Sequence, residues 1–206
     1  SGKIGISGTK IFNEFNLSYN TNIEKISKDK SIQQIEIDDV NKKSFKINLL
    51  WKPNLNNKYN FTDMYYNHSE SGKSELMNTN TKINRNNLKI SHEWLLKNKW
   101  SLLHTIQHQL YDRKYIQIRP WGDIETYNIT SEQNIEYENI FHKKYNENEI
   151  TLGFEISQAT YISDRVKKGK QNFITNSTFS QYDFNFRNKF NIILGIRLDS
   201  YSEYGN

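Results

Sequence analysis

The chain has 206 residues, a formal net charge of +5, 35% hydrophobic and 14% aromatic residues, and no cysteine. The lack of cysteine excludes disulfides and thiolate metal sites, and no apolar run approaches the roughly 18 to 20 residues that a membrane helix needs. The positive charges are scattered, with Lys167–Lys170 as the one tight cluster, so the charge does not indicate nucleic-acid binding.

Apolar and polar residues alternate with a period of two, which predicts strands because successive strand side chains point to opposite faces. The predicted strands are 4–7, 15–19, 35–51, 59–65, 88–94, 100–110, 135–141, 150–156, 182–186 and 190–198. Short turns at 8–13, 52–57, 95–99, 142–148 and 187–189 alternate with long polar connections at 20–30, 69–82, 112–127 and 164–172. This order predicts an all-β, antiparallel up-and-down meander of about ten strands, with its long loops on one side.

The last predicted strand shows the alternation most clearly. Arg197 and Asp199 lie on its polar face, two residues apart, where they can hydrogen-bond to each other. The opposite face is apolar without interruption: Phe190, Ile192, Leu194, Ile196 and Leu198. Such a strand is typical of a membrane β-barrel, but also of a half-buried strand in a soluble sandwich.

Aromatic residues bracket the short turns on the apolar face. A single pair would be an ordinary cross-strand contact, worth about 0.2 to 1 kcal/mol. Their recurrence beside short turns indicates an aromatic girdle, and membrane barrels have short periplasmic turns and long extracellular loops. The pattern therefore favours the barrel over the sandwich. The pairs are Trp51 with Tyr59, Trp94 with Trp100, and Phe186 with Phe190.

Several motifs, spread over more than half of the chain, together resemble the barrel of TonB-dependent outer-membrane receptors. They are Ile150-Thr-Leu-Gly153-Phe-Glu155, Phe179-Ser-Gln-Tyr-Asp183, Gly195-Ile-Arg197-Leu-Asp199 and Tyr204-Gly205. The hairpin from Leu88 to Arg113, with Ser91-His92-Glu93-Trp94 and Tyr111-Asp112-Arg113, is similar to the catecholate-siderophore and colicin receptor branch, the ferric-enterobactin type. Tyr182 departs from the family pattern, which usually has an acidic residue there.

The resemblance implies a 22-stranded type of transmembrane barrel in the outer membrane of a Gram-negative bacterium. It also implies an N-terminal plug domain, contact with outer-membrane lipid, a monomer, and uptake of an iron–siderophore ligand driven by the TonB–ExbB–ExbD system through the plug. The sequence contains no plug, TonB box or closing C-terminal strand. We therefore expect residues 1–206 to be an internal piece of the barrel.

A ferric catecholate complex is anionic and aromatic, so a site for it would use cations and aromatic rings. Arg113, Tyr115, Arg119 and Trp121 offer this mixture in a predicted extracellular loop, although a solvated basic loop has the same composition. These four residues are the predicted ligand contacts. Arg197 and Asp199 are predicted to face the lumen in a structural role, paired with the plug or a neighbouring strand.

Histidines and carboxylates do not form a recognisable reactive site in the sequence. A hairpin turned near Lys97 places His92 opposite Leu102 and His108 opposite Asn86, so no two histidines are expected to meet around a metal or haem. Glu136 and Glu138 fit a polar barrel wall, and no catalytic or nucleotide-binding motif is present. We predict no enzyme activity, no cofactor and no metal.

Three alternatives to a siderophore receptor remain open at this point. Haem or another TonB-dependent substrate would use the same barrel plan, because loops set specificity. A passive porin-like barrel would have the same strands without a plug. A soluble β-sheet adhesin or binding module would pack the apolar faces together.

Overall fold

The computed structural model describes residues 2–29, 36–73, 76–166, 169–186 and 190–202. These residues form one antiparallel sheet of ten strands, in which strands that follow one another in the sequence are neighbours in the sheet. The strands are β1 (Gly2–Ile11), β2 (Phe15–Asp29), β3 (Glu36–Asn54), β4 (Asn57–Lys73), β5 (Asn78–Leu95), β6 (Trp100–Ile118), β7 (Ile124–Tyr145), β8 (Asn148–Ser163), β9 (Lys170–Phe186) and β10 (Phe190–Tyr201). The predicted up-and-down meander is confirmed.

The long connections predicted at 69–82 and 112–127 are wrong in their extent. The strand β4 continues to Lys73 and β5 already begins at Asn78. In the same way, β6 continues to Ile118 and β7 begins at Ile124. The outer parts of β4 and β5 are almost entirely polar, so they lack hydrophobic alternation but keep the backbone hydrogen bonds of the ladder. The outer parts of β6 and β7 keep a few apolar residues, Ile116, Tyr127 and Ile129, on the apolar face. The predicted turn at 187–189 and the motif at Tyr204-Gly205 lie outside the described residues.

One face of the sheet is apolar, and its register builds a stack of rings beside the short turns. Residues directly opposite each other in an antiparallel pair point to the same face. The rings stack with centroid separations of 5.7 Å between Phe15 and Trp51, 5.0 Å between Trp51 and Tyr59, 4.3 Å between Tyr59 and His92, and 5.9 Å between His92 and His104. The stack therefore runs across β2 to β6 and includes the predicted pair Trp51 and Tyr59.

The described part of the chain has almost no hydrophobic core. Val40 and Leu102, at 7% and 8% exposure, are its buried hydrophobic side chains. Large apolar residues of β10 such as Leu194 and Leu198 are 64% and 65% exposed. Because a single sheet cannot bury its own apolar face, that face requires an apolar environment from outside the described residues.

The opposite face is polar and makes its own contacts. Lys58 forms a 2.9 Å ion pair with Glu93 of the adjacent strand. A hydrogen-bonded chain crosses β2, β3 and β4, in which Thr62 donates to Asn48 at 3.0 Å and Asn48 donates to Ser18 at 3.2 Å. Such contacts satisfy polar groups within the face. Within the described residues, no helix is long and apolar enough to cross a membrane.

Gly153 of β8 lies beneath an aromatic ring on the polar face. It is the direct partner of Phe179, and a Cβ at this position would overlap the Phe179 ring. At Gly195, by contrast, the nearest atom to an added Cβ is the Ser180 carbonyl oxygen at 3.7 Å, which is ordinary contact. Glycine in a strand marks such a close approach of another group.

We expect Gly153→Val to destabilise the protein by about 1 to 3 kcal/mol, because it forces the Phe179 ring out of place. Gly195→Val is the matched control and should be close to neutral. Urea unfolding of the complete reconstituted protein measures both. A Gly153→Val/Phe179→Ala double variant should recover part of the loss, and strict additivity of the two changes would contradict the packing described.

Whether lipid covers the apolar face can be tested on β6. Ile106 is 51% exposed on this face. If lipid covers the face, Ile106→Arg should lower the free energy of unfolding in phospholipid vesicles by about 2 to 4 kcal/mol. Gln109→Arg, on the polar face of the same strand, should stay within about 0.5 kcal/mol. Equal, small effects of the two substitutions on urea unfolding would mean that water bathes both faces.

Candidate functional site

The polar face carries a cluster of arginine and tyrosine side chains toward the long-connection end of β4, β5 and β6. The register aligns Tyr66 with Arg85 and Arg85 with Tyr111, so these three side chains share one row. The Arg85 guanidinium carbon lies 5.0 Å from the centre of the Tyr111 ring. A guanidinium over a ring is held in a defined orientation while its outer N–H groups remain able to donate.

The next rows of the same face repeat this chemistry. The Arg113 guanidinium lies 5.7 Å from the centre of the Tyr115 ring. On β4, His68 contacts the Tyr66 hydroxyl at 3.3 Å through Nδ1 and the Glu70 carboxylate at 3.1 Å through Nε2. The result is a surface with two exposed guanidinium groups, several aromatic faces and a carboxylate at its border. We call Tyr66, Arg85, Tyr111, Arg113 and Tyr115 the arginine–tyrosine cluster.

The structure divides the four predicted ligand residues between two places. Arg113 and Tyr115 belong to β6 and point to the polar face, so their predicted position in a loop is wrong. The strand continues because Tyr115 pairs with Thr81 on one side and Asn128 on the other. The four residues therefore do not form one loop site.

Arg119 and Trp121 do lie in the connection after β6, and their polar groups are already paired. Arg119 donates to Glu125 at 3.2 Å and lies 5.4 Å from the centre of the Trp121 ring. Trp121 donates to the Asp123 carboxylate at 2.7 Å and is 68% exposed. These contacts stabilise the connection between β6 and β7. Arg119 and Trp121 make them outside the strands that carry the arginine–tyrosine cluster.

Sequence reasoning missed Arg85, Tyr111 and Tyr66 as members of this site. Arg85 alternates with the apolar residues of β5, so its phase alone places it on the polar face. Which residue of β6 stands opposite Arg85 depends on where the hairpin turns, and the observed turn places Tyr111 there. The turn is a 3₁₀ helix at Lys97–Lys99, closed by the Leu96 N–H donating to the Trp100 carbonyl at 2.8 Å.

The same turn corrects the predicted positions of the histidines. His92 is opposite His104, not Leu102, and His108 is opposite Leu88, not Asn86. The expectation that no two histidines meet is therefore wrong. The His92 and His104 rings stack, while His92 also contacts the Asn57 amide oxygen at 2.9 Å and His104 contacts the Asn139 amide oxygen.

The stacked histidines do not belong to a larger set of metal-ligand residues. In the described ranges, no group of three or more His, Asp or Glu side chains is placed to hold a metal ion. Both rings lie on the apolar face in the aromatic stack beside the short turns.

Arg197 and Asp199 lie on the polar face of β10, where Arg197 joins three strands. Its Nε donates to Asp199 at 2.8 Å, and its Nη2 donates to Ser177 at 2.9 Å and to Glu155 at 3.3 Å. Its guanidinium also lies 5.8 Å from the centre of the Phe179 ring. These contacts hold β8, β9 and β10 together on one face and engage the guanidinium within the sheet.

No protein-family model matches the chain, and no curated protein is similar to it in sequence. Solved structures do share its architecture. The siderophore receptor PirA from Pseudomonas aeruginosa is similar with a TM-score of 0.72 and 11% identity, over 98% of this chain and 35% of that chain. The ferric citrate transporter FecA in its unliganded form is similar with a TM-score of 0.69 and 6% identity, over 95% of this chain and 35% of that chain.

The chain thus spans 35% of the length of each of these two proteins. At such low identity the likeness concerns the fold. The ten-stranded meander has the fold found within a siderophore receptor and within a ferric citrate transporter.

Proposed function

We propose that the chain is a barrel segment of a TonB-dependent outer-membrane receptor that takes up a ferric siderophore. The observation that carries the proposal is the meander with one uncovered apolar face and one polar face. In a membrane barrel the first face meets lipid and the second lines the interior. The role is therefore binding and transport, not catalysis.

A barrel larger than this sheet fits the two edge strands. The strand β1 pairs with β2, and β10 pairs with β9, while the described residues contain no pairing between β1 and β10. Unpaired edges within a bilayer would leave backbone groups unsatisfied, so further strands must close the sheet. The two similar solved chains are longer, since this chain spans 35% of each, which supports closure by strands of a longer protein. A plug domain engaged by TonB is part of the proposal for that longer protein.

The arginine–tyrosine cluster is the proposed ligand site. Its two guanidinium groups suit an anionic complex, and its tyrosine rings suit an aromatic one. Ferric catecholates combine both properties, whereas ferric citrate offers negative charge without a ring. This chemistry favours a catecholate-type siderophore, with Arg85 and Tyr111 added to Arg113 and Tyr115 as contacts. Arg119 and Trp121 are proposed to line the entrance from the connection after β6.

The first test concerns location and form. The complete protein encoded by the gene, expressed with its own export signal in a Gram-negative host, should sediment with the outer membrane. It should also migrate differently in gel electrophoresis before and after heating, because a folded barrel resists detergent. A water-soluble product that binds no detergent would contradict the proposal and favour a packed soluble β-protein.

The second test concerns the ligand. We expect Arg85→Gln/Arg113→Gln to weaken binding of a ferric catecholate about tenfold or more, because charge-assisted hydrogen bonds are lost. Tyr111→Leu should weaken the ferric catecholate about fivefold and leave ferric citrate unchanged, since only the former stacks on a ring. Quenching of intrinsic tryptophan fluorescence in the detergent-purified complete protein measures these affinities.

Arg119→Gln is the comparison for the connection after β6, because it removes one charge from a side chain already paired with Glu125, and it should weaken binding less than the double variant does. If Arg119→Gln weakens binding more than the double variant does, the ligand lies in the connection and not on the sheet. If the protein passes small solutes freely and binds no ferric complex, a porin-like barrel replaces the receptor.

A further inference from the structure

An acid and two imidazoles lie in the middle of the apolar face of β4 and β6. The register puts Asp63 opposite Ile47 and Leu88, and Leu88 opposite His108, so all four side chains share that face. His104 precedes His108 by four residues and stands on the same face. Along this face of its own strand, each of the three has an apolar or aromatic neighbour on either side. The acid and the imidazoles are thus surrounded by apolar residues.

Asp63 lies deep in the proposed hydrocarbon region. It follows Tyr59, a member of the ring stack beside the short turns, by four residues, which is about 13 Å along the strand. The apolar band of a membrane barrel is about 25 Å tall. An ionisable side chain at such a depth is costly in lipid and is usually paired with another protein group. A partner for Asp63 is therefore expected.

The chain itself does not supply that partner. In the described part of the chain, the buried Oδ1 atom of Asp63 has no hydrogen-bond donor. The direct cross-strand neighbours, Ile47 and Leu88, have no polar side-chain group. His108 stands one strand further, about 9.5 to 10 Å away at the usual strand spacing, with the Leu88 side chain between. The Asp63 carboxylate consequently does not meet the nearest imidazole of its own row.

His108 has the donor that this carboxylate lacks. Its Nε2 atom lies 3.0 Å from the Gln133 amide nitrogen, which is a donor only. Nε2 is therefore the acceptor of this bond, and the ring proton is on Nδ1. His104 differs, because its Nδ1 donates to the Asn139 amide oxygen. The Nδ1–H group of His108 is thus free to donate to a carboxylate, and such bonds are the stronger ones.

The far end of the sheet shows the same face without these groups. On β8 and β10 it is formed by residues such as Leu152, Phe154, Ile196 and Leu198. Within the described residues of these two strands, the apolar face has no carboxyl and no imidazole group. Lipid alone suits that part of the wall. The part formed by β4 to β6 instead holds an acceptor and a donor that do not meet.

We propose that the apolar face of β4 to β6 is a two-fold interface with a second copy of this protein in the membrane. The interface rests on the proposed function, because it requires this face to lie in a bilayer. A two-fold axis brings the same surface against itself. The Asp63 carboxylate of each copy then accepts from the His108 Nδ1–H of the other, and Leu88 packs near the axis. A dimer replaces the monomer that the family resemblance implies.

The geometry of a barrel permits this pairing. Barrel strands are tilted by about 35 to 45°, so Asp63 and His108 differ in depth by about 6 Å, which the two side chains can span. Ile90, Ile106 and Leu88 supply apolar contact around the pair. Ile106 is then covered by the partner instead of lipid, and its surroundings are apolar in either case.

A second copy is the occupant that this chemistry favours. One face carries both members of the pair, so the two-fold contact satisfies two carboxylates and two imidazoles at once. A different protein would need a donor for Asp63 and an acceptor for His108 at the matching depths. An isologous contact of this kind also closes on itself and does not continue into a filament.

Disulfide cross-linking of the complete protein in its own outer membrane tests the interface. Residues 1–206 contain no cysteine, so Leu88→Cys adds a single thiol near the axis once any cysteine elsewhere is changed to serine. Mild oxidation should give a dimer, because the two Cβ atoms come within the roughly 4.5 Å that a disulfide allows. Leu194→Cys, exposed on the same face of β10, is the matched control and should stay monomeric. Equal cross-linking of the two variants would reflect random collision and would overturn the proposal.

Exchanging the two members tests the acid–imidazole pair. Asp63→Leu and His108→Leu should each weaken dimerisation in phospholipid vesicles about tenfold or more, because each removes two equivalent hydrogen bonds from the dimer. The double variant Asp63→His/His108→Asp restores the complementarity and should recover most of the association. A role in packing alone would not produce this recovery. Energy transfer between fluorescently labelled copies, followed over a series of lipid-to-protein ratios, measures the association.

The stability of the monomer gives a readout with a change of sign. In dilute neutral detergent, where the copies are separated, Asp63→Leu should be as stable as the parent or more stable, because an unpaired carboxyl leaves apolar surroundings. At high protein-to-lipid ratios the parent should be the more stable protein. A variant that is less stable under both conditions would mean that Asp63 serves the packing of its own barrel, and would overturn the proposal.

The remaining outcomes are also decisive. A parent that stays monomeric at every ratio, or single variants that associate like the parent, would overturn the interface. A disulfide from Leu88→Cys to a different outer-membrane protein, without a dimer, would assign the face to that protein instead. Heat-modifiable migration of the same samples separates the two proposals. A folded, heat-modifiable monomer rejects the dimer alone, whereas a protein with no heat-modifiable form rejects the barrel and the interface together.

Discussion

The uncovered apolar face is the constraint on which the rest of the structure depends. A single sheet of ten strands buries only Val40 and Leu102 among the hydrophobic side chains of its described part. In water such a face would collapse on a second layer or aggregate, because nothing else removes it from solvent. In the proposed barrel the same face is in contact with lipid, and the sheet is a wall between hydrocarbon and an aqueous interior. The absence of a core is then a property of the architecture.

Because the wall has two environments, the same residue type behaves differently on each side. On the polar face, charges meet partners within the sheet, as when Lys58 pairs with Glu93 of the adjacent strand and Arg197 contacts Asp199 on its own strand and Glu155 two strands away. Aromatic rings on this face contact cations or cover small residues. The Phe179 ring does both, since it lies near the Arg197 guanidinium and over Gly153. On the apolar face, rings stack beside the short turns, and Lys82 stands opposite Lys114 toward the long-connection end. Side-chain chemistry therefore changes with depth as well as with face.

Alternation in the sequence was sufficient to predict the class of fold and the face of most residues. It is insufficient where polar residues predominate on both faces, as in the outer parts of β4 and β5 and around Asp112 to Tyr115 in β6, because there a strand and a loop have similar compositions. The composition therefore predicts a loop for Arg113 and Tyr115, although the ladder carries both residues into β6. Backbone hydrogen bonds extend these strands, and such bonds do not depend on the side-chain pattern that the sequence displays.

Neighbours were harder to predict than faces, and the β5–β6 hairpin shows why. Its turn is centred on Asn98 rather than Lys97, and both Asn98 and Lys99 adopt positive φ values of 60° and 61°. Moving the centre of a turn by one residue moves each cross-strand partner by two, and a shift of two preserves the face. The predicted and observed registers therefore place every side chain of the hairpin on the same face but give it different cross-strand neighbours. His92 meets His104 and Arg85 meets Tyr111 only in the true register. The division into an apolar and a polar face does not depend on this shift, whereas a binding site is defined by which side chains stand together.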